Sequence, residues 1–533
     1  MYPILWFLIA LIIGTTLLFI ITTIIANKKL IHDIKPLWSL RKPLESFVRP
    51  NHRYSYQFDT YKHQFDETNL IDDKTYADLN LKALFNSMNF NFTAIGEMRL
   101  YATLRKMFTI HNQMLIQKFK NDELFRLKIS THLAKIGKAI YPTFPDQLTT
   151  VKRNHLYMLT TYLPLVFLLF AFLKPEIGIL LTILVAIFNM ILSGVLKRTF
   201  DQDLNSLFYT SNVIKKAYAI HKIDGAPTID VDFSHFKVAR RLSGLLGRVN
   251  TAEDSMVFAF LLKAIFMLDY HIFHLIQHSF KKYEAEVMAC YEYIGSIDNH
   301  YAIALWRETL TQYALPQASN EDSVEFEALT HPLLVDAISN DLVINSHILL
   351  TGSNASGKST FMKAIALNLL LAQTINTVTA KYFKYKPGLI FTSMVNQDDI
   401  LSGDSYFMTE IKSIKRLFDL KTEDKIYCFI DEIFKGTNTT ERIAASESVL
   451  NYLGNSQNYE IIAATHDIEL ATLLEYQYKN FHFNETIYEN EIAFDFKIKP
   501  GKADTRNAIE LLRILKFPNQ VYTRAKTSSN QFL

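Results

Sequence analysis

The sequence predicts an α/β phosphate-loop domain toward the C-terminal end, preceded by an all-α region and transmembrane helices. Three observations carry this reading. The short apolar runs "HILLTG", "KIYCFIDE" and "EIIAATHD" are each followed by helical spacing, as buried strands of a parallel sheet are. Gly352 to Ser359 spell G-x-x-x-x-G-K-S between the first of those runs and an apolar helix. Long apolar blocks lie at residues 4–26 and 156–196, and roughly 20 apolar residues span a bilayer as a helix.

Length and composition agree with that division. A chain of 533 residues has room for two to four domains. Its formal net charge of +3 gives no global basic field of the kind a dedicated nucleic-acid binder carries. Hydrophobic content is 49%, with 39 Phe and 27 Tyr, which suits a partly membrane-embedded protein. Cys290 and Cys428 form no metal or redox spacing and fit a reducing compartment.

Residues 1–26 are expected to be an N-terminal transmembrane anchor. The run 4–26 is longer than a signal-peptide core, no Lys or Arg precedes it, and Ile24 stands where cleavage after Ala26 would need a small residue. Residues 151–198 are expected to form a transmembrane helical hairpin, turned at Lys174-Pro175-Glu176; the alternative is a buried core hairpin. Lys28, Lys29, Lys35, Arg41 and Lys42 follow the anchor, while Lys152-Arg153 and Lys197-Arg198 bracket the hairpin. Positive flanks stay cytoplasmic, which predicts an outside N-terminus, a multi-pass protein of the cytoplasmic membrane and a cytoplasmic C-terminal domain. The third apolar stretch, 256–277, is interrupted by Lys263, Asp269, His271 and His274, so a long buried helix is expected there rather than a span.

The rest of the chain divides by pattern. Residues 27–75 read as a juxtamembrane linker with little regular structure. Residues 76–150 and 199–315 carry Leu, Met and Phe at helical spacing and read as two parts of one helical region. "PQASNEDS" marks a polar boundary, and 316–533 form the α/β domain with closing helices.

The nucleotide site can be built from its residues. Gly352, Ser353, Asn354, Ala355, Ser356, Gly357, Lys358, Ser359 and Thr360 form the loop and helix start expected to hold ATP. The two glycines let backbone N–H groups curl around phosphate oxygens, Lys358 neutralises β/γ charge, and Ser359 binds Mg²⁺. "IYCFIDE" ends in Asp431, a second oxygen for the Mg²⁺ shell, and Glu432, which can orient and deprotonate the attacking water. His466 closes another apolar strand, where ligands of open α/β sheets gather, and can contact the γ-phosphate. Glu432, His466 and Lys358 are therefore the candidate catalytic residues. The loop 391–410 is polar and opens a helix, so Ser402, Gly403 and Ser405 can meet a phosphate there.

In this order the motifs resemble those of the MutS family of DNA mismatch-repair proteins. "TGSNASGKSTFM" looks like the family's Walker A, "FTSMVNQDDILSGDSYFMTEI" like its signature segment, "FIDEIFKGTNTTER" like its Walker B and "ATHDIEL" like its His switch. "FTAIGEMRLYATLRKMF" resembles the start of its helical lever domain. The resemblance implies an α/β P-loop ATPase domain of the ABC/MutS type behind an all-α lever domain, and a homodimer. Ser402, Gly403 and Ser405 would then complete the partner's nucleotide site. Four residues depart from the family: Ala355-Ser356 replace Met-Gly, Tyr406 replaces Thr, and Ala337 stands where many relatives stack an aromatic on adenine. The mismatch-reading domain that precedes the levers in the family is expected to have no counterpart in the stretch before Thr93.

The implied function is a membrane-anchored, dimeric, Mg²⁺-dependent ATPase, converting ATP and water to ADP and phosphate. It would open and close helical arms on double-stranded DNA without sequence specificity. Two alternatives are an ATP-dependent scaffold acting on a protein partner and an ABC-type transporter motor. The transporter fits poorly, because three spans are few and the "LSGGQ" form is absent.

Overall fold

The computed structural model describes residues 2–44, 54–138, 152, 154–199, 201–242, 263–353, 356–394, 406–420, 422–435, 437–487, 492–503 and 508–529. The chain folds as two compact units: residues 1–54, 90–99 and 112–305 form one, and residues 55–89, 100–111 and 306–533 the other.

The first unit is helical among the described residues. Its principal helices are Tyr2–Ile34, Glu123–Ile136, His155–Phe170, Pro175–Thr199, Asp201–His221, Leu268–Lys282 and most of Glu284–Thr309. Among the described residues one helix, Pro175–Leu196, is long and apolar enough to cross a membrane, with a mean hydropathy of 2.6 and almost no burial by the rest of the protein. Its neighbour His155–Phe170 is apolar but only 16 residues long and carries Pro164.

The stretch expected as one long buried helix from 256 to 277 is broken instead; residues 256–262 lie outside the described residues. The chain turns left-handed at Met267, φ 45°, and the helix Leu268–Lys282 begins after it. The break leaves the Ile265 carbonyl without a helical partner. Asn189, fully buried on Pro175–Thr199, donates to that carbonyl at 2.8 Å and to Thr160 O at 2.9 Å. Thr161 and His271 meet at 2.8 Å. The Asn189 side chain thus satisfies the carbonyl that the break exposes.

Elsewhere in this unit Asp298 is fully buried. It accepts from Phe92 N at 3.0 Å, Thr93 N at 2.8 Å and Thr93 Oγ1 at 2.6 Å. Burial pushes its carboxyl up to about 6, against the pull of those donors. The carboxylate fills the start of the helix Ala94–Leu104, where a Cβ on Gly96 would fall 2.2 Å from Asp298 Oδ2.

The second unit is built on two sheets. The smaller joins β1 (Gln317–Ala318), β2 (Val324–Leu329), β3 (Asn340–Ile344) and β5 (Tyr382–Tyr385) in the order β1-β5-β2-β3. The larger adds β4 (Ile348–Thr351), β6 (Leu389–Ser393), β7 (Ile426–Asp431), β8 (Tyr459–Ala464), β9 (Lys479–Ile487) and β10 (Ile492–Pro500), in the order β10-β9-β4-β8-β7-β6. All its pairings are parallel except β9 with β10. Strands β4, β6 and β8 are buried along their whole length, as a sheet covered on both faces requires.

The stretch read as linker is not irregular throughout, because it holds the helices Tyr56–Tyr61 and Asp73–Asp78. These pack into the second unit. Asp78 accepts from Thr392 Oγ1 at 2.7 Å and Met394 N at 3.0 Å, while Lys74 donates to Met394 O at 2.8 Å. Lys106 donates to Gly388 O at 2.8 Å, and its burial lowers the ammonium to about 8. Short amphipathic helices with charged ends dock on the rim of the sheet by capping its free backbone groups.

Candidate functional site

The register of the sheet brings the site together. Leu350 of β4 and Asp431 of β7 both pair with Ala464 of β8, so the three strands end at one level. Thr465 N reaches Leu350 O and Glu432 N reaches Ala464 O, both at 2.9 Å. Crevices beyond the carboxyl ends of such strands hold the ligands of α/β folds.

The loop after β4 needs its glycines. Gly352 has φ 131° and Gly357 φ 101°, a region closed to side chains without strain. A Cβ on Gly352 would fall 2.8 Å from Phe483 O, and one on Gly357 3.0 Å from the Phe496 ring. Ser356 Oγ donates to Ser353 O at 2.7 Å, and Ser353 is hydrogen-bonded to Glu485. Asn354 and Ala355 lie outside the described residues.

Lys358 begins the helix Lys358–Ile375 and is 2% exposed. Its Nζ donates to Gly352 O and Ser353 O, both at 2.7 Å. Burial lowers its pKa, and the carboxylates of Asp431, Glu432 and Glu485 offset part of that shift. The ammonium is held ready at the mouth of the loop, where phosphate oxygens would replace the carbonyls.

Asp431 ends β7 with its pKa raised by burial and pulled back by a hydrogen bond from Ser359. The two side chains supply two hard oxygens beside a phosphate loop. Mg²⁺ binds in that way, through one or two protein oxygens, with phosphates and water completing its shell. The pair therefore fits Mg²⁺, and the bound ion would neutralise charge on the phosphates.

Glu432 sits at φ 53°, 7% exposed. One oxygen lies 3.5 Å from His466 Nδ1 and the other 2.6 Å from Lys435 Nζ. The hydrogen bond from His466, then the contact with Lys435, pull its carboxyl down to about 2 although burial pushes it up. A depressed carboxylate stabilises the folded state above its unfolded pKa and loses that contribution as pH falls from about 4.5 toward 2. At neutral pH Glu432 is ionised. Behind it, Arg442 grips Asp467 through two hydrogen bonds, of 2.9 and 2.8 Å, and so fixes the turn that carries His466.

Beside the loop opens a cleft of about 550 Å³ whose walls include Ala337, Asn340, Thr360, Phe483, Phe494 and Phe496. Ala337 lines it as expected, and the aromatic surface comes instead from β10. Phe494 and Phe496 stack on each other with centroids 5.8 Å apart. Asn340 holds that strand in place, donating to Phe496 O at 3.0 Å and accepting from Ile498 N at 2.9 Å. The cleft has the flat apolar wall that a purine ring needs. Phe496→Ala is expected to weaken ATP binding about tenfold, ~1.4 kcal/mol, the scale of one lost ring stack. Equilibrium titration with a fluorescent ATP analogue checks it, and an unchanged affinity would remove Phe496 from the site.

The structure thus gathers Gly352, Ser353, Ser356, Gly357, Lys358, Ser359, Thr360, Asp431, Glu432 and His466 around one crevice. Ser402, Gly403 and Ser405 lie outside the described residues. Reading the sequence missed Glu485, Phe494 and Phe496, which a hairpin more than a hundred residues downstream delivers, and Lys435 and Arg442, which look like ordinary surface charges.

Residues 348–533 match the family model described as MutS domain V. Curated relatives named DNA mismatch repair protein MutS, from Staphylococcus aureus strains JH9, Newman and N315, are each 28% identical over 282 residues. That match covers 50% of this chain and 32% of each relative, so the chain spans about a third of the length of the proteins it resembles. Domain V is a P-loop ATPase-type domain, and the crevice just described is built from residues within the match. That match and the 28% identity to MutS over half of the chain support membership of the MutS family.

Proposed function

We propose that this chain binds Mg²⁺·ATP in the crevice around Lys358, hydrolyses it as a homodimer, and uses the cycle to open and close its helical region on duplex DNA at the cytoplasmic membrane. The observation that carries the reading is the meeting of Lys358, the Ser359–Asp431 pair and the Glu432–His466 pair at the ends of three adjacent strands. Lys358 and the loop amides bind the phosphates. Glu432 orients and deprotonates water, and His466 senses the γ-phosphate that the water attacks. Three features support the membrane part: the length and apolarity of Pro175–Leu196, the charge-free run 4–26, and the basic residues flanking both. The DNA part is supported by the name of the relatives, DNA mismatch repair protein MutS.

The test is duplex binding by the full chain in lipid nanodiscs across a salt series, with ATP held constant. Contacts to phosphates release counterions, so log K is expected to fall linearly with log salt, with a slope of about −0.9 per phosphate neutralised. A flat response or no binding would leave the ATPase reading standing and replace DNA with a protein partner.

A further inference from the structure

The first unit carries a second large cleft, about 600 Å³, that the nucleotide chemistry does not use. It lies where the long N-terminal helix ends. His32 and Lys35 come from that end, Trp38 and Ser39 from the turn after it, Arg126 from the helix Glu123–Ile136, and Tyr301 from Glu284–Thr309. Three basic side chains line it against one acid, Glu123, which stands 4.0 Å from Lys35 with both side chains about two-thirds exposed. A pair so exposed is weak and easily exchanged for another anion.

The guanidinium is set in place. Arg126 Cζ stands over the Trp38 ring, 4.3 Å from its centroid, and the guanidinium donates to Phe119 O at 2.6 Å and Lys120 O at 3.1 Å. A planar, delocalised cation fixed in this way suits phosphate recognition better than a free lysine does. Exposed apolar side chains stand close by in the chain. Ile31, Leu40 and Leu124, each next in sequence to a lining residue, are 38%, 57% and 72% exposed. A basic mouth with exposed apolar side chains close by has the chemistry of an amphiphile site.

We propose that this cleft binds the phosphate of an anionic phospholipid, with His32, Lys35 and Arg126 around the headgroup and the acyl chains against Ile31, Leu40 and Leu124. The proposal rests on the reading that the N-terminal helix enters the membrane, which would place the cleft on the cytoplasmic side near the headgroups. The lipid would then fix that helix to Glu123–Ile136 and tie the helical region to the membrane surface.

The experiment uses the full chain in dodecyl maltoside micelles with Trp6→Phe. Trp38 remains in the cleft, and Trp306, 1% exposed, is shielded in the other unit. Acyl-brominated phosphatidylglycerol and phosphatidylcholine are compared as quenchers of tryptophan fluorescence. Phosphatidylglycerol is expected to quench at about tenfold lower mole fraction. Lys35→Gln and Arg126→Gln should each remove most of that preference. Lys128→Gln, an exposed charge on the same helix that does not line the cleft, should keep it. Arg126→Gln also uncaps two carbonyls, so Lys35→Gln is the decisive variant. Equal quenching by the two lipids, or a preference untouched by Lys35→Gln, would overturn the site. Reversal of the quenching by inorganic phosphate would show a site for the free ion and overturn the lipid assignment. Orientation is tested apart, in intact cells with an impermeant thiol reagent: Glu176→Cys should label and Lys282→Cys should not. The reverse labelling would overturn the membrane reading, whereas expected labelling with no lipid preference would overturn the cleft alone.

Discussion

Glu432→Gln is expected to bind ATP with near-parental affinity and to release phosphate at least ~100-fold more slowly, the loss that follows removal of general-base help. The substitution keeps size and shape, so the neighbours at Ala464, His466 and Lys435 keep their places. It removes only the charge and the ability to take a proton. His466 and Lys435 pull the Glu432 carboxyl down to about 2, so the group that the variant neutralises is ionised at neutral pH. Stopped-flow phosphate release alongside nucleotide titration reads both halves, and turnover unchanged by the variant would take the base role away from Glu432.

Lys358→Ala is expected to weaken ATP binding by at least ~100-fold, ~2.7 kcal/mol. The side chain is 2% exposed, and its position at the loop carbonyls means that it is already dehydrated and aimed before nucleotide arrives. A preorganised cation in a site of low polarity binds phosphate charge more strongly than a mobile surface lysine does. Its loss also removes positive charge that offsets Asp431 and Glu432, which repels the triphosphate further. Isothermal titration of the full chain with Mg²⁺·ATP measures the effect. A loss below about tenfold would mean that the backbone amides of the loop supply most of the binding.

The catalytic half of the crevice was legible because its elements are local. Asp431 and Glu432 close one mostly apolar strand, His466 comes just after another, and the loop of Lys358 follows a third; parallel pairing aligns such strand ends without further information. The wall of the base cleft was not legible. Phe494 and Phe496 sit in an alternating strand that reads as an ordinary hairpin, and a register shift in its pairing with β9 between Phe494 and Ile498 accompanies their placement. The positive φ of Phe496 carries no sequence signal either. The stretch around Asp72 to Asp78 reads as polar linker because its helices are short. Their place in the second unit is set by hydrogen bonds to residues some three hundred positions away, which periodicity cannot register. The broken helix at Met267 was hidden for a related reason, since the group that relieves the break, Asn189, lies on another helix.

In the proposed reaction Ser359 and Asp431 hold the Mg²⁺ with which Lys358 and Glu432 act on ATP. Single-turnover phosphate release tests it most directly. Radiolabelled ATP is bound to the full chain in excess chelator, and Mg²⁺ is then added. No release is expected before the addition and prompt release after it, with Asp431→Asn holding ATP but slowed at least ~100-fold after Mg²⁺. Release in the presence of chelator, or equal rates from Asp431→Asn and the parent chain, would contradict the assignment of this crevice as the hydrolytic site.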